Sequence, residues 1–166
     1  MWIRAAAALV VLAAAVGGAS AEDASGCEKF KWSIARERAW FAADPKPVEA
    51  GAELGSPASG YVVALVAGDA AAFSVSPERP PKAGTFGGIV KTMIGKAGLY
   101  QVTLSDEAWV DVVQNGARVK SSGFSGQKAC PGVRKSVRFD LSSGPATLQI
   151  SNSEAAKITL AIAPAE

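Results

Sequence analysis

The chain is 166 residues long, sets 17 lysines and arginines against 15 acids, and contains no histidine. A charge balance this even leaves no electrostatic footprint for nucleic acid. The missing histidine removes Ser-His-Asp and Cys-His nucleophiles, histidine-ligated catalytic zinc, and the two-histidine, one-carboxylate iron site of non-haem oxygenases.

Residues 1–21, MWIRAAAALVVLAAAVGGASA, read as a secretory signal peptide. Arg4 gives the positive start, residues 5–16 are unbroken Ala, Leu and Val, and Ala19-Ser20-Ala21 fits a small-x-small cleavage site. An apolar core of twelve residues falls short of the roughly 20 that span a bilayer, so a membrane anchor is the weaker reading. No later run is long and apolar enough to span either. The expected mature protein is a soluble, monomeric, periplasmic or secreted chain beginning at Glu22. Ala24-Ser25-Gly26-Cys27 offers a rival, lipoprotein-type cleavage, but the large aliphatic residue three places before the cysteine is missing.

Cys27 and Cys130 are the two cysteines. In an exported chain an even count is read as a disulfide. The alternatives are an intermolecular bridge or a metal pair, and two cysteines without a histidine make a poor metal site.

Residues 27–44, CEKFKWSIARERAWFAAD, predict one short amphipathic helix. Ser33 is placed to cap it, residues 34–43 are mostly helix formers, and Pro45 ends it. Phe30, Ile34 and Phe41 fall near one stripe, with Arg36, Glu37 and Arg38 on other faces, and Trp32 and Trp40 are expected to pack against the main body. Residues 45–60 are rich in proline and glycine without periodicity and read as a linker or extended crossing. Residues 22–59 thus form an N-terminal helix plus linker, and residues 60–166 the main domain.

From Tyr61 onward the pattern is strands punctuated by turns. Strands are predicted over 61–66, 71–75, 88–94, 98–104, 109–114, 117–120, 133–141, 146–151 and 157–162. Asn115-Gly116 is a strong hairpin signal, and residues 121–131 read as a loop carrying Cys130. Tyr100, Val102 and Leu104 share one face while Gln101 and Thr103 share the other; Ala146, Leu148 and Ile150 alternate with Thr147, Gln149 and Ser151 in the same way. One-sided alternation without intervening helices suits antiparallel sheets. The expected fold is mainly β: an antiparallel β-sandwich or jelly roll of about eight strands, with an up-and-down barrel as the alternative.

The strings GLYQVTL, AWVDVVQNG, VRFDL, GPATLQI and ITLAIAP, over residues 60–163, resemble the bacterial pre-peptidase C-terminal type of domain, a secreted β-sandwich. The acidic calcium-type loops of some members are not evident here. The whole chain also resembles small exported proteobacterial proteins of unknown role, some labelled homogentisate 1,2-dioxygenase. The absence of histidine contradicts that activity.

Few strings carry chemistry. Ser125-Gly126-Gln127-Lys128 matches Ser-x-x-Lys, but that chemistry needs a helix start, and the companion motifs are missing. Asp106, Glu107, Asp111 and Asp140 are available as a carboxylate pair, which the sequence reads as turn and surface acids. Gly84–Gly88 is glycine-rich but precedes a strand rather than a helix. No catalytic residue, metal site or cofactor is assigned.

The candidate binding set is Trp109, Asp111, Arg134, Arg138 and Gln149. If Val110 and Val112 face the core, Trp109 and Asp111 face outward together. Arg134, Ser136 and Arg138 then line the outer side of one strand and Gln149 that of another. An aromatic ring beside a carboxylate and guanidiniums fits a sugar or an acidic polymer. The competing reading makes Trp109 a core anchor. Lys135 interrupts the inward row Val133, Val137, Phe139 and is expected at an exposed strand start. The function these features suggest is a non-enzymatic binding or accessory module of the cell envelope, with a glycan or periplasmic protein as partner. A histidine-free hydrolase and a purely structural module are the alternatives.

Overall fold

A computed structural model of the protein describes residues 26–55 and 59–166. The signal peptide assigned to residues 1–21, and Ala24 and Ser25 of the lipoprotein-like string, lie outside them. The described chain begins with a short 3-10 turn, Cys27–Lys29, and one helix, α1 (Ala35–Ala42). The strands follow: β1 (Lys46–Glu49), β2 (Tyr61–Ala64), β3 (Val66–Ala67), β4 (Phe86–Ile94), β5 (Gly98–Leu104) and β6 (Trp109–Gln114). Then come β7 (Ala117–Val119), β8 (Ser121–Gly126), β9 (Lys135–Leu141), β10 (Gly144–Ser153) and β11 (Lys157–Pro164). They form two sheets, ordered β1-β2-β11-β5-β9-β8 and β3-β4-β10-β6-β7.

The alternating apolar rows meet in one core drawn from both sheets. Val63, Tyr100, Val102, Val137, Phe139, Leu160 and Ile162 come from the first sheet, and Val90, Val110, Val112, Leu148 and Ile150 from the second. The chain passes between sheets at both edges: at Leu65, from β2 to β3, and at Lys120, from β7 to β8. Asn115 and Gly116 both have positive φ, 51° and 74°, the backbone that a two-residue turn matching strand twist requires.

Several expectations are corrected. There are eleven strands among the described residues rather than about eight. Residues 45–60 are not simply a linker, because β1 joins the sheet beside β2. That pairing is parallel, unlike the other strand pairings, and Pro47 is tolerated because β1 is an edge. The chain then crosses over the second sheet's β4 edge, where Leu54 N–H donates to Lys91 O at 2.7 Å and the Leu54 side chain enters the core. The run expected as one strand over 61–66 divides between the two sheets at Leu65.

Residues 71–75 are not a strand: Ser74 and Val75 donate their N–H groups to the Gln149 side chain instead. Residues 121–126, read as loop because Ser and Gly are poor strand formers, are β8, paired with β9 from Gly126 opposite Lys135 to Ser121 opposite Phe139. Here the partner strand outweighs local propensity.

The N-terminal segment lies on the outer face of the first sheet. Trp32 Nε1 donates to Ser136 Oγ at 2.9 Å, and Gln101 Nε2 donates to Ser33 O at 3.2 Å. Phe30, Ile34, Cys130 and Val133 make a second apolar cluster, with Trp32 and Phe41 against it. The Cys27–Cys130 disulfide fastens this segment across a separation of 103 residues. Closing a loop of that size restricts the unfolded chain by about 4–5 kcal/mol in the chain-entropy model. The helix is not amphipathic as expected. Glu37 is its buried residue, at 1% exposure, with Arg36 folded back onto it at 2.7 Å.

Candidate functional site

At the edge where β7 leads into β8 the two sheets leave a cleft of about 380 Å³. Val110, Val119, Val137 and Phe139 give it an apolar wall, and the polar lining includes Glu78, Arg79, Glu107, Asp111, Arg134 and Lys135. Phe124, at 61% exposure, also lines it.

Strand alternation builds its centre. Trp109 and Asp111 are two residues apart on β6 and share a face, with Val110 and Val112 in the core. Trp109 Nε1 donates to Asp111 Oδ1 at 3.1 Å. Asp111 Oδ2 accepts the Glu78 N–H at 3.0 Å. This second bond pins residues 68–85, the long strap between β3 and β4, and brings the Arg79 guanidinium 4.0 Å from the Trp109 ring centre.

Lys135 opens β9 on the other sheet. Its Nζ lies 4.7 Å from the Trp109 ring centre and donates to Ala108 O at 3.0 Å. Arg134 is ion-paired with Glu107. Burial holds the Lys135 amine below the ordinary lysine value; Glu107 opposes this, while Arg79 and Arg134 add to it.

Trp109, Asp111 and Arg134 of the sequence-derived set are therefore gathered in the cleft. Arg138 and Gln149 are not. Arg138 lies under the N-terminal segment, 4.3 Å from the Trp32 ring centre, with its Nε donating to Gln101 Oε1. Gln149 is opposite Asp111 in register but fully buried, at 0% exposure. Its Oε1 accepts from Ser74 N, Ser74 Oγ and Val75 N, and its Nε2 donates to Val75 O, so it faces the strap rather than a ligand.

Lys135 departs from the exposed position expected of it: it is half-buried beside Trp109. The sequence carried a signal for it, a charge inside the inward row Val133, Val137, Phe139. Arg79 had no such signal, because its strap is fixed by tertiary bonds alone. Trp109 is half-buried with two cations over its ring, and so is not the bare platform that sugar stacking requires.

The other chemical strings resolve simply. Ser125 lies on a strand, buried, with its Oγ accepting the Lys31 N–H at 3.0 Å, so Ser-x-x-Lys lacks its helical turn. Among the candidate acids, Glu107 is held by Arg134, Asp111 by Trp109 and the strap, Asp140 by Ser122 and Asp106 by Ser105.

No protein-family model matches the chain, and no curated protein matches its sequence.

Proposed function

We propose that this chain is an exported, non-catalytic binding module of the cell envelope that holds an acidic ligand in the cleft around Trp109. In this reading residues 1–21 direct export to the periplasm or beyond, and residues 60–166 form a β-sandwich of the jelly-roll or pre-peptidase C-terminal kind. The ligand is an acidic envelope glycan, or a periplasmic partner presenting a carboxylate.

One observation carries the reading. Arg79 and Lys135 both line the cleft, and neither forms an ion pair among the described residues. Arg79 is exposed at the mouth of the cleft and Lys135 half-buried within it, so a carboxylate entering there meets free donors of both side chains and can accept charge-assisted hydrogen bonds from them. The partnered state of the acids supports binding rather than carboxylate-pair hydrolysis. The disulfide suits an oxidising compartment, and among the described residues no helix is long and apolar enough to cross a membrane.

The test is retention on a glycan array. Protein purified after export should bind uronate-bearing glycans and pass over neutral ones. Arg79→Gln should weaken retention about tenfold, the loss of one charge-assisted contact of about 1.4 kcal/mol, with circular dichroism unchanged. Equal retention on neutral glycans, or no effect of Arg79→Gln, would overturn the reading.

A further inference from the structure

Lys135 stands apart from every other amine described in the chain by what surrounds it. Its Nζ donates one hydrogen bond, to Ala108 O, and lies over Trp109. It sits in a cleft walled by Val110, Val137 and Phe139, into which solvent and a small ligand can enter. No carboxylate is within ion-pairing distance among the described residues: Glu107 is engaged by Arg134, and Asp111 by Trp109 and the Glu78 N–H. Glu78 and the two guanidiniums of Arg79 and Arg134 complete the charged surroundings.

We propose that Lys135 is a carbonyl-capturing amine and that the ligand class of the cleft is an oxo acid, a small molecule or chain end bearing an aldehyde or ketone close to a carboxylate. This rests on the acidic-ligand reading above and narrows it. The carboxylate lies against Arg79, which turns the carbonyl carbon toward Nζ. The neutral amine attacks that carbon, forming the N–C bond, and the carbonyl π electrons move to oxygen. The carbinolamine then loses its oxygen as water, taking both protons originally on nitrogen, and an imine remains. No oxidant or reductant is consumed, and the capture is reversible.

Three features of the site favour the step. A half-buried amine beside two guanidiniums is disfavoured as an ammonium, so its neutral form is populated below the ordinary lysine range. The single bond to Ala108 O fixes the nitrogen without occupying its lone pair. The apolar wall of Val110, Val137 and Phe139 offers the carbon skeleton of an oxo acid a surface to rest on beside the amine.

The experiment uses protein purified from cells expressing the full chain, with glyoxylate as probe and cyanoborohydride to trap the imine as a carboxymethyl-lysine. Peptide mass spectrometry reads labelling site by site near neutral pH. Lys135 should be labelled faster than exposed lysines such as Lys128 and Lys157, since an amine held below the ordinary lysine value has more of its free form near neutral pH. Arg79→Gln should slow labelling by glyoxylate several-fold more than labelling by acetaldehyde, which has no carboxylate. Lys135→Arg should lose the fast site while keeping the glyoxylate-induced change in tryptophan fluorescence. Lys135 labelled no faster than the exposed lysines overturns the capture step. If glyoxylate still perturbs fluorescence in an Arg79-dependent way, the cleft as an acid-binding site survives that result; if neither signal appears, both ideas fall.

Discussion

The outer faces of the two sheets are both covered, and they are covered by different means. Over the first sheet lies the N-terminal segment, fastened by a disulfide and by side-chain contacts: Trp32 to Ser136, and Arg138 stacked under Trp32. Over the second lies the strap of residues 68–85, which has no covalent tie. Its backbone N–H groups are caught by side chains of the sheet: Ser74 and Val75 by Gln149, Glu78 by Asp111, and Lys82 by Asn152. Asn152 sits at an irregularity of β10 with φ 58°, a backbone that asparagine tolerates. The first cover is a structural staple. The second delivers Arg79 to Trp109, so the face held by hydrogen bonds is the one that builds the cleft.

The largest expected effect falls on the covalent cover. Replacing Cys27 and Cys130 together by serine should cost about 2–5 kcal/mol in urea unfolding. Limited proteolysis of that variant should cut near residues 27–44 first and spare the strap. Early cutting in the strap would show that the two covers are not independent. Next comes Gln149→Leu, which keeps the volume but strands the Ser74 and Val75 N–H groups. A loss of about 2–3 kcal/mol is expected, with proteolysis in residues 69–82 and altered Trp109 fluorescence as Arg79 is released. An unchanged digestion pattern would mean that the strap is held elsewhere.

Asp111→Asn is a gentler probe of the same cover. One acceptor oxygen remains for two donors, so a loss of about 1 kcal/mol is expected, again in urea unfolding. The smallest effect concerns pH. The Lys135 amine is held below its unfolded value, so the unfolded chain binds more protons between the two values and stability rises with pH there. The penalty is complete below the folded value and fades toward the unfolded one, about 10.4. Lys135→Met should therefore be slightly more stable near neutrality, with the gap closing as pH approaches that value. A gap independent of pH would assign the effect to packing alone.

Much of the fold was legible because strand alternation is a local signal. The runs 98–104 and 109–114 are strands with the same ends in the structure, and Tyr100, Val102, Leu104, Val110 and Val112 face the core as the pattern requires. The Cys27–Cys130 bridge follows from there being two cysteines and one intramolecular pairing. The site was only partly legible. Trp109, Asp111 and Arg134 come together, yet Gln149 is buried and Arg138 half-buried, polar residues on outward rows lying under covers that alternation does not reveal. Residues 71–75 misled for the converse reason: they look like a strand, but their hydrogen bonds go to a side chain. The basic residues of the 134–138 run divide likewise, with Arg134 and Lys135 in the cleft and Arg138 beneath Trp32.

By itself the sequence determined the β character, the possible disulfide, the Asn115-Gly116 hairpin and the absence of histidine chemistry. Each depends on composition or on neighbours a few residues apart. The tertiary structure alone decided that both outer faces are covered, that the strap carries Arg79 to Trp109, and that Lys135 meets the same ring from the other sheet. Alternation states which residues share a face; it does not state what lies on that face, because the covering segments come from tens of residues away.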